Sequence, residues 1–472
     1  MVPRCFGSSE LRRRKMFEIL TNEDVLRIHA ASLDVLERTG IRIESDELLG
    51  ILGKGGATVD STRRIVCLPR ELVMERVKRA PRQFIAYGRT SNRDLRIERG
   101  RVYARTGNGR INVTDLATGQ RRKSVRADVE ACGVLVDALE NVHMATGVLY
   151  PNDVPPNAVD IITFEIMLEN TDKHIKVGAE NARNLESIVK MAEAVRGGKD
   201  ELEKKPLMTL ILSPVSPLLW DKEAAELAIV ASKHKLPVNV EPAPIGGSTA
   251  PVTLAGHLAL ANAETLAGIT ILQILNPGTS IYYSPRFTTM DMRSGDVAFG
   301  SIENELMDVA AAQMARYYNV PVDLEGVELY LGALAGINVI GGIGSAEAGL
   351  NQDFAQTVLD DEILGIILRM LRGIDTSPEM LAVEVIDRVR PGGIFLGDKH
   401  TITHYAKEHY LPQLLASGKV WERALISLAS KEVKDKARNK ATEILKQHEP
   451  ARLDRDTVKT LHSISDGAIR AS

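Results

Sequence analysis

The sequence predicts an α/β fold: an eight-stranded β/α (TIM) barrel with an N-terminal helical and β accessory region and a helical C-terminal tail. Three observations predict it. The chain has 472 residues, 44% hydrophobic and 26% charged, which can bury a large core and exceeds most single compact domains. From about residue 131 short apolar pieces alternate with longer helical stretches, a pattern that calls for a parallel sheet. Eight such pieces suggest closure into a barrel, whose usual length near ~250 residues leaves room for added segments. A doubly wound open sheet is the alternative reading of the same alternation.

Taken in order, residues 1–16 read as a disordered or misannotated extension. The opening MVPRCFGSSELRRRK is basic but leads into no apolar run of about 7–15 residues such as a secretory signal needs. A start at Met16 would give the tidier MFEILTNEDVLRIH. Residues 17–130 form the accessory region. Thr21 can cap a helix over 21–40, with Asp24 at its third position and Val25, Ile28, Leu33 and Leu36 as its apolar stripe. A shorter helix over 45–54 stops at Gly55-Gly56. From Val59 to Ser124, stretches such as LRIERGRVYAR and INVTDLATGQRRKS, broken by Gly, Asn and Asp, predict small hairpins.

The barrel is expected over 131–400. Its strands are read at 143–149, 173–178, 207–212, 237–242, 280–283, 321–323, 337–342 and 393–397, with helices between them. The sixth and seventh pieces start only 16 residues apart, so the connection between them holds a cramped helix at most. Residues 401–472 read as a helical tail that wraps the barrel or mediates assembly.

Several function classes are excluded by composition. A net charge of −3 argues against bulk attraction to nucleic acid or an acidic membrane. Cys5, Cys67 and Cys132 lie far apart, which speaks for a reducing compartment without disulfides or structural zinc. The apolar run Val252–Leu275 is long enough to span a bilayer, but His257, Asn262, Glu264 and Gln273 would be costly there. It reads as a buried helix, and the protein as cytoplasmic.

In β/α barrels the working residues stand where strands end. Those positions hold Glu180 and Asn181; Ser213–Pro217; Ala243–Thr249; Ser284, Pro285, Arg286 and Phe287; Asp323 and Glu325; Gly341–Glu347; and Asp398, Lys399 and His400. The set is rich in carboxylates and lacks a nucleophile elbow, a HExxH or a P-loop lysine. GGIGSA resembles a phosphate cradle without its third glycine, and close packing at the barrel rim explains it as well. His400 stands at a site position or simply caps the next helix. His257 and Glu264 share a face of the apolar helix and read as core rather than catalytic base. Tyr282, Tyr283 and Phe287 offer aromatic faces that attract quaternary ammonium groups, although adjacent strand tyrosines cannot both face one pocket.

Together, several stretches resemble the trimethylamine:corrinoid methyltransferase family. They are GGSTAPVTLAGHLALANAETLAG at 246–268, SPVSPL at 213–218, DLATGQRRKS with Asp128 to Glu130 downstream, and PGGIFLGDKHTITHY at 391–405. The likeness runs from about residue 17 to 450 in the family's order. The resemblance implies a methyltransferase on a β/α barrel that binds no metal or cofactor of its own. It implies a methylated amine or betaine as substrate, and as acceptor the cobalt(I) of a corrinoid held by a separate small protein docking over the barrel mouth. On this basis Asp323, Glu325 and His400 are the candidate catalytic residues. Tyr282, Phe287, Gly344 and Glu347 are the candidate substrate-binding residues, and a homo-oligomer is expected.

The sequence also departs from the family. Members that use trimethylamine carry pyrrolysine near the sixth strand, whereas here that segment is shortened and holds none. Relatives often carry histidine or another polar residue at the positions of Ile394 and Asp398. Quaternary amines such as betaines are therefore the expected substrates. An inactive barrel that binds a methylamine or scaffolds a corrinoid partner is the second reading. A barrel lyase with Lys176 as Schiff-base lysine is the third.

Overall fold

The computed structural model describes residues 16–326, 328–415 and 431–470. The expected extension at 1–15 and part of the expected tail lie outside these residues. A closed parallel barrel is formed by β1 (Tyr103–Thr106), β2 (Met144–Thr146), β3 (His174–Val177), β4 (Met208–Leu212), β5 (Val238–Val240), β6 (Ile281–Tyr283), β7 (Asp323–Glu325) and β8 (Val339–Ile343). The seam is a parallel bridge between Tyr283 and Val322, with the Tyr283 amide donating to the Pro321 carbonyl at 2.8 Å. One helix follows each strand: α1 (Arg126–Ala138), α2 (Val159–Asn170), α3 (Ala182–Arg196), α4 (Lys222–Lys233), α5 (Leu254–Leu275), α6 (Ile302–Tyr318), α7 (Leu329–Ala335) and α8 (Phe354–Arg372).

Seven of the eight expected strands form, and the fold class stands. The eighth expectation fails: residues 393–397 form no strand, and Ile394 and Leu396 are 79% and 81% exposed. The missing strand is β1, inside the segment read as hairpins. The run YART looks polar because Arg105 sits in it, yet all four residues are buried. The first β/α unit therefore begins about 40 residues earlier than the hydrophobic pattern indicates.

Among the described residues, the trimmed connection still holds a helix. Residues 329–335 make the short α7, and Gly336 ends it in the left-handed conformation (φ 78°) that favours glycine. The chain then enters β8 directly.

The apolar run forms α5, which is buried because the N-terminal helices Asn22–Asp34 and Arg70–Arg79 cover its outer side. The first of these carries the expected Thr21–Asp24 capping box. Each polar residue of α5 has found a partner. Asn262 donates to Ser32 Oγ (2.8 Å) and Tyr318 OH (3.0 Å) and accepts from Tyr283 OH (2.8 Å). His257 Nε2 meets the Pro244 carbonyl, and Gln273 binds the 278–279 backbone. Glu264 accepts from Ser216 Oγ and the Leu218 amide. Such pairing is what a buried polar group requires.

Burial pushes the Glu264 carboxyl up to about 7. Between the ordinary glutamate value and pH 7 the folded chain holds a proton that the unfolded chain has released. This group's contribution is thus fully present at low pH and lost as pH rises through 7. Glu264→Gln is expected to stabilise the protein at pH 8, by up to about 3 kcal/mol, and to change little at pH 4. Urea unfolding at the two pH values measures it, and equal effects at both would contradict the assignment.

Two further pieces matter for the site. A hairpin of Phe84–Ala86 and Leu95–Ile97 enters the N-terminal end of the barrel, packing Ala86, Leu95 and Ile97 against Tyr103, Met144, Tyr282 and Val339. After the barrel, Lys431–Gln447 packs on α8 and α1, and Arg455–Arg470 on α2 and α3. His448 Nε2 pairs with Asp137 at 2.8 Å between them.

Candidate active site

Inward positions of the barrel strands alternate with positions facing the helices. Tyr282 and Tyr283 show this directly: Tyr283 points out to Asn262, whereas Tyr282 points in, against Phe84 of the hairpin (centroids 4.9 Å apart). Above Tyr282 the inward positions are charged. Lys176 of β3 lies 3.6 Å over the Tyr282 ring, donates to Asn239 Oδ1 (3.0 Å) and pairs with Asp323. Arg105 of β1 forks onto Asp323, with Nη2 to Oδ1 at 2.8 Å and Nε at 3.0 Å. Its other nitrogen reaches Glu325 at 3.0 Å. The guanidinium runs past Gly341 of β8, where a Cβ would lie 2.6 Å from it, so no other residue fits there.

The next layer toward the C-terminal mouth centres on Glu325, the last residue of β7. Arg110, in the loop after β1, donates to it at 2.6 Å, and Arg286, after β6, stands 3.7 Å away. Arg286 also faces Glu241, after β5, at 3.4 Å. Asn239 donates to Glu241 (2.8 Å) and Ser284 (2.9 Å), tying β5 to β6. Behind this layer on α6 stands Asp308, 4% exposed, whose carboxyl finds no hydrogen-bond partner among the described residues.

Charges sealed in a barrel stay ionised only when opposed charge outweighs lost hydration. Burial works against Asp323, but Arg105 and Lys176 hold it below the usual carboxylate range. Burial is likewise overcome at Glu325, which Arg286, Arg110 and Arg105 hold far down. The balance reverses for Glu241, raised by burial against the pull of Arg286. Burial, with the like charge of Glu305, lifts Asp308 well above the carboxylate range. Burial draws Lys176 down to about 8. The mouth therefore combines firmly ionised carboxylates with others that hold protons readily. Such a site can hold a charged molecule and orient it.

Of the expected site residues, Asp323, Glu325 and Tyr282 come together here. The others do not join them. Phe287 is buried edge-on against His257 (5.4 Å). Gly344 packs at the rim, with its amide donating to Asp360, and a Cβ there would strike Thr357 and Gln352. That amide is therefore not free to meet a phosphate. Glu347 is half exposed and pairs with Arg121 at 2.8 Å. His400 lies on the helix Lys399–Glu408, its ring 4.4 Å from and tilted against that of His404, and Asp398 caps that helix. The strand meant to deliver His400 does not exist.

Sequence reasoning missed Arg105, Arg110, Asn239, Glu241 and Asp308. A usable signal was present, because Asn239/Glu241 and Asp323/Glu325 are polar pairs at strand period on the same face. Lys176 has no exposed surface and is bound on two sides, which leaves a carbonyl substrate no approach and the Schiff-base reading no basis.

A family model for trimethylamine methyltransferase (MTTB) matches residues 7–466. The chain belongs to that family. It is 32% identical over 466 residues to trimethylamine methyltransferase MttB of Desulfitobacterium hafniense, covering 94% of this chain and 92% of that protein. It is 30% identical over 459 residues to the glycine betaine methyltransferase of another strain of that species, covering 93% and 94%. A solved structure of the monomethylamine methyltransferase MtmB from Methanosarcina barkeri is also similar, with TM-score 0.49, 14% identity and coverage of 90% and 95%. The resemblance read from residues 246–268 and their companions is thus family membership. Relatives named for an amine and for a betaine stand at nearly equal identity, so identity alone does not choose between the two substrates. The inactive-barrel reading rested on the short connection after β7; among the described residues that connection holds a helix, and β7 delivers both Asp323 and Glu325.

Proposed function

We propose that the protein is a methyltransferase that moves a methyl group from a quaternary amine or betaine, rather than trimethylamine, to the cobalt(I) of a corrinoid carried by a partner protein. One observation carries this reading: a barrel mouth lined by the charged side chains of Arg110, Arg286, Glu241 and Glu325, which suits positioning a charged substrate for direct transfer to an acceptor. The acceptor's electron pair forms the new bond to the methyl carbon. The carbon–nitrogen bond breaks, and its electron pair stays on nitrogen. A quaternary nitrogen then leaves as a neutral tertiary amine without any proton, whereas trimethylamine must first be protonated or otherwise activated. The chain holds no pyrrolysine, which the resemblance associates with trimethylamine use. Here the barrel residues bind and orient the charged substrate.

The partner belongs to the same proposal. Ile111, Val252, Met292, Phe299 and Leu350 stand exposed on the loops that follow strands β1, β5, β6 and β8, around the mouth. Apolar rims of this kind suit protein docking. Self-association is assigned to the segment 374–411, where Ile374, Leu396 and Ile402 are also exposed. With Cys67 and Cys132 as free thiols, the cytoplasm is the fitting compartment.

The test mixes purified protein with cob(I)alamin and, separately, glycine betaine, carnitine, proline betaine and trimethylamine. Conversion of the cobalt(I) spectrum to that of methylcobalt(III) with a quaternary amine is the expected result. Methyl transfer from trimethylamine in preference to all three betaines would sink the substrate assignment.

A further inference from the structure

The charged layer at the mouth is uneven. Arg105 and Arg110 are sealed, with side chains 0% and 5% exposed, and every carboxylate they face lies within 3.1 Å. Arg286 differs from both. Its side chain is 31% exposed, and its two carboxylate contacts are loose, at 3.4 Å to Glu241 and 3.7 Å to Glu325. Its Nε donates to no group among the described residues. The arginine is anchored through its own amide, which donates to the Pro242 carbonyl at 2.9 Å, so the guanidinium is delivered to the mouth on a fixed stem.

Charge counting points the same way. Four cations, Lys176, Arg105, Arg110 and Arg286, face Asp323, Glu325 and Glu241, with Asp308 as an unpartnered fourth carboxyl. The four cations outnumber the three carboxylates they face, and burial raises the Glu241 and Asp308 carboxyls besides. A carboxylate on the substrate would neutralise that excess at Arg286, the most exposed and most loosely held of these guanidiniums. Guanidinium forks match carboxylates in two parallel hydrogen bonds, which an ammonium group cannot reproduce.

We infer that Arg286 is the specificity residue of this site: it binds a carboxylate carried by the quaternary amine. The inference rests on the function proposed above and narrows its substrate to zwitterions.

The experiment compares glycine betaine with tetramethylammonium, which has the same charged nitrogen and no carboxylate. Cobalt methylation and calorimetric binding are both measured, on wild type, Arg286→Gln and Arg286→Lys. In Arg286→Gln the ratio of kcat/KM for glycine betaine to that for tetramethylammonium should fall roughly 30-fold, carried by KM. Arg286→Lys should recover part of it. An unchanged ratio, an equal loss with both compounds, or a wild type that binds no betaine would overturn the inference. Turnover of tetramethylammonium but no betaine would leave the methyltransferase standing and remove Arg286. Binding of betaine through Arg286 without methylation of cobalt by either compound would do the reverse.

Discussion

Replacing Glu325 by alanine is expected to destabilise the barrel by about 3–5 kcal/mol, because removing one partner of a buried ion pair leaves its neighbours uncompensated. Here three guanidiniums, of Arg105, Arg110 and Arg286, converge on one carboxylate whose side chain is 2% exposed. Methyl transfer should fall at least ~100-fold, the scale seen when a preorganised electrostatic partner is lost. Denaturant unfolding and the cobalt assay read the two effects separately. The pH dependence gives a further check. Glu325 titrates far below an ordinary glutamate, so its contribution is present above the unfolded value and lost as pH falls toward the folded one. The variant should therefore show a flatter acid limb. A midpoint and an activity both like wild type would remove Glu325 from the site.

The second large effect concerns the pair that joins β1 to β7 across β8. Arg105→Met alone is expected to cost about 3–5 kcal/mol, since it strands the fully buried Asp323 with only Lys176. Asp323→Leu alone should cost a similar amount. The double variant should cost clearly less than the sum, with a coupling of about 1–3 kcal/mol, because neither member of the pair is then left facing the other's empty place, while Lys176 loses Asp323 in the single Asp323→Leu variant and the double alike. Strict additivity in the cycle would show that the two residues do not act as a pair, whatever their geometry.

This pair also explains what was legible in the sequence and what was not. Strands β2 to β8 announce themselves as apolar pieces between helices, because their outward residues pack on those helices even where inward ones such as Lys176, Asn239 and Asp323 are polar. Strand β1 hides because it has only Tyr103 and Ala104 before Arg105 and Thr106, with no apolar run to mark it. The partner carboxylates of Arg105 are 218 and 220 residues away, and no local window contains the compensation. The opposite error arose at residues 393–397, where Ile394, Phe395 and Leu396 look like a strand and lie in the open. Apolar sequence there marks exposed surface rather than core.

The site was half legible for the same reason. Asp323 and Glu325 stand at a strand end with no local excuse for their charge, and Tyr282 follows from alternation within β6. Arg105 was concealed with its strand, and Glu241 sat within an apolar piece. Asp308 lies on a helix rather than at a strand end, so position gave no hint of it. His400 and Glu347 were chosen by position relative to strand ends, and their true surroundings are a helix start and a rim ion pair.

The hairpin that enters the N-terminal end of the barrel makes the vessel single-ended. Phe84, Ala86, Leu95 and Ile97 fill that floor with apolar side chains, and Tyr282 is pinned between it and Lys176. On the proposed function, amine and methyl acceptor must then share one doorway. An acceptor protein seated over the mouth would shut an amine in or out, so amine loading must come first and release of the demethylated amine last. The reaction would be of compulsory order: excess acceptor protein should act as an inhibitor competing with the amine.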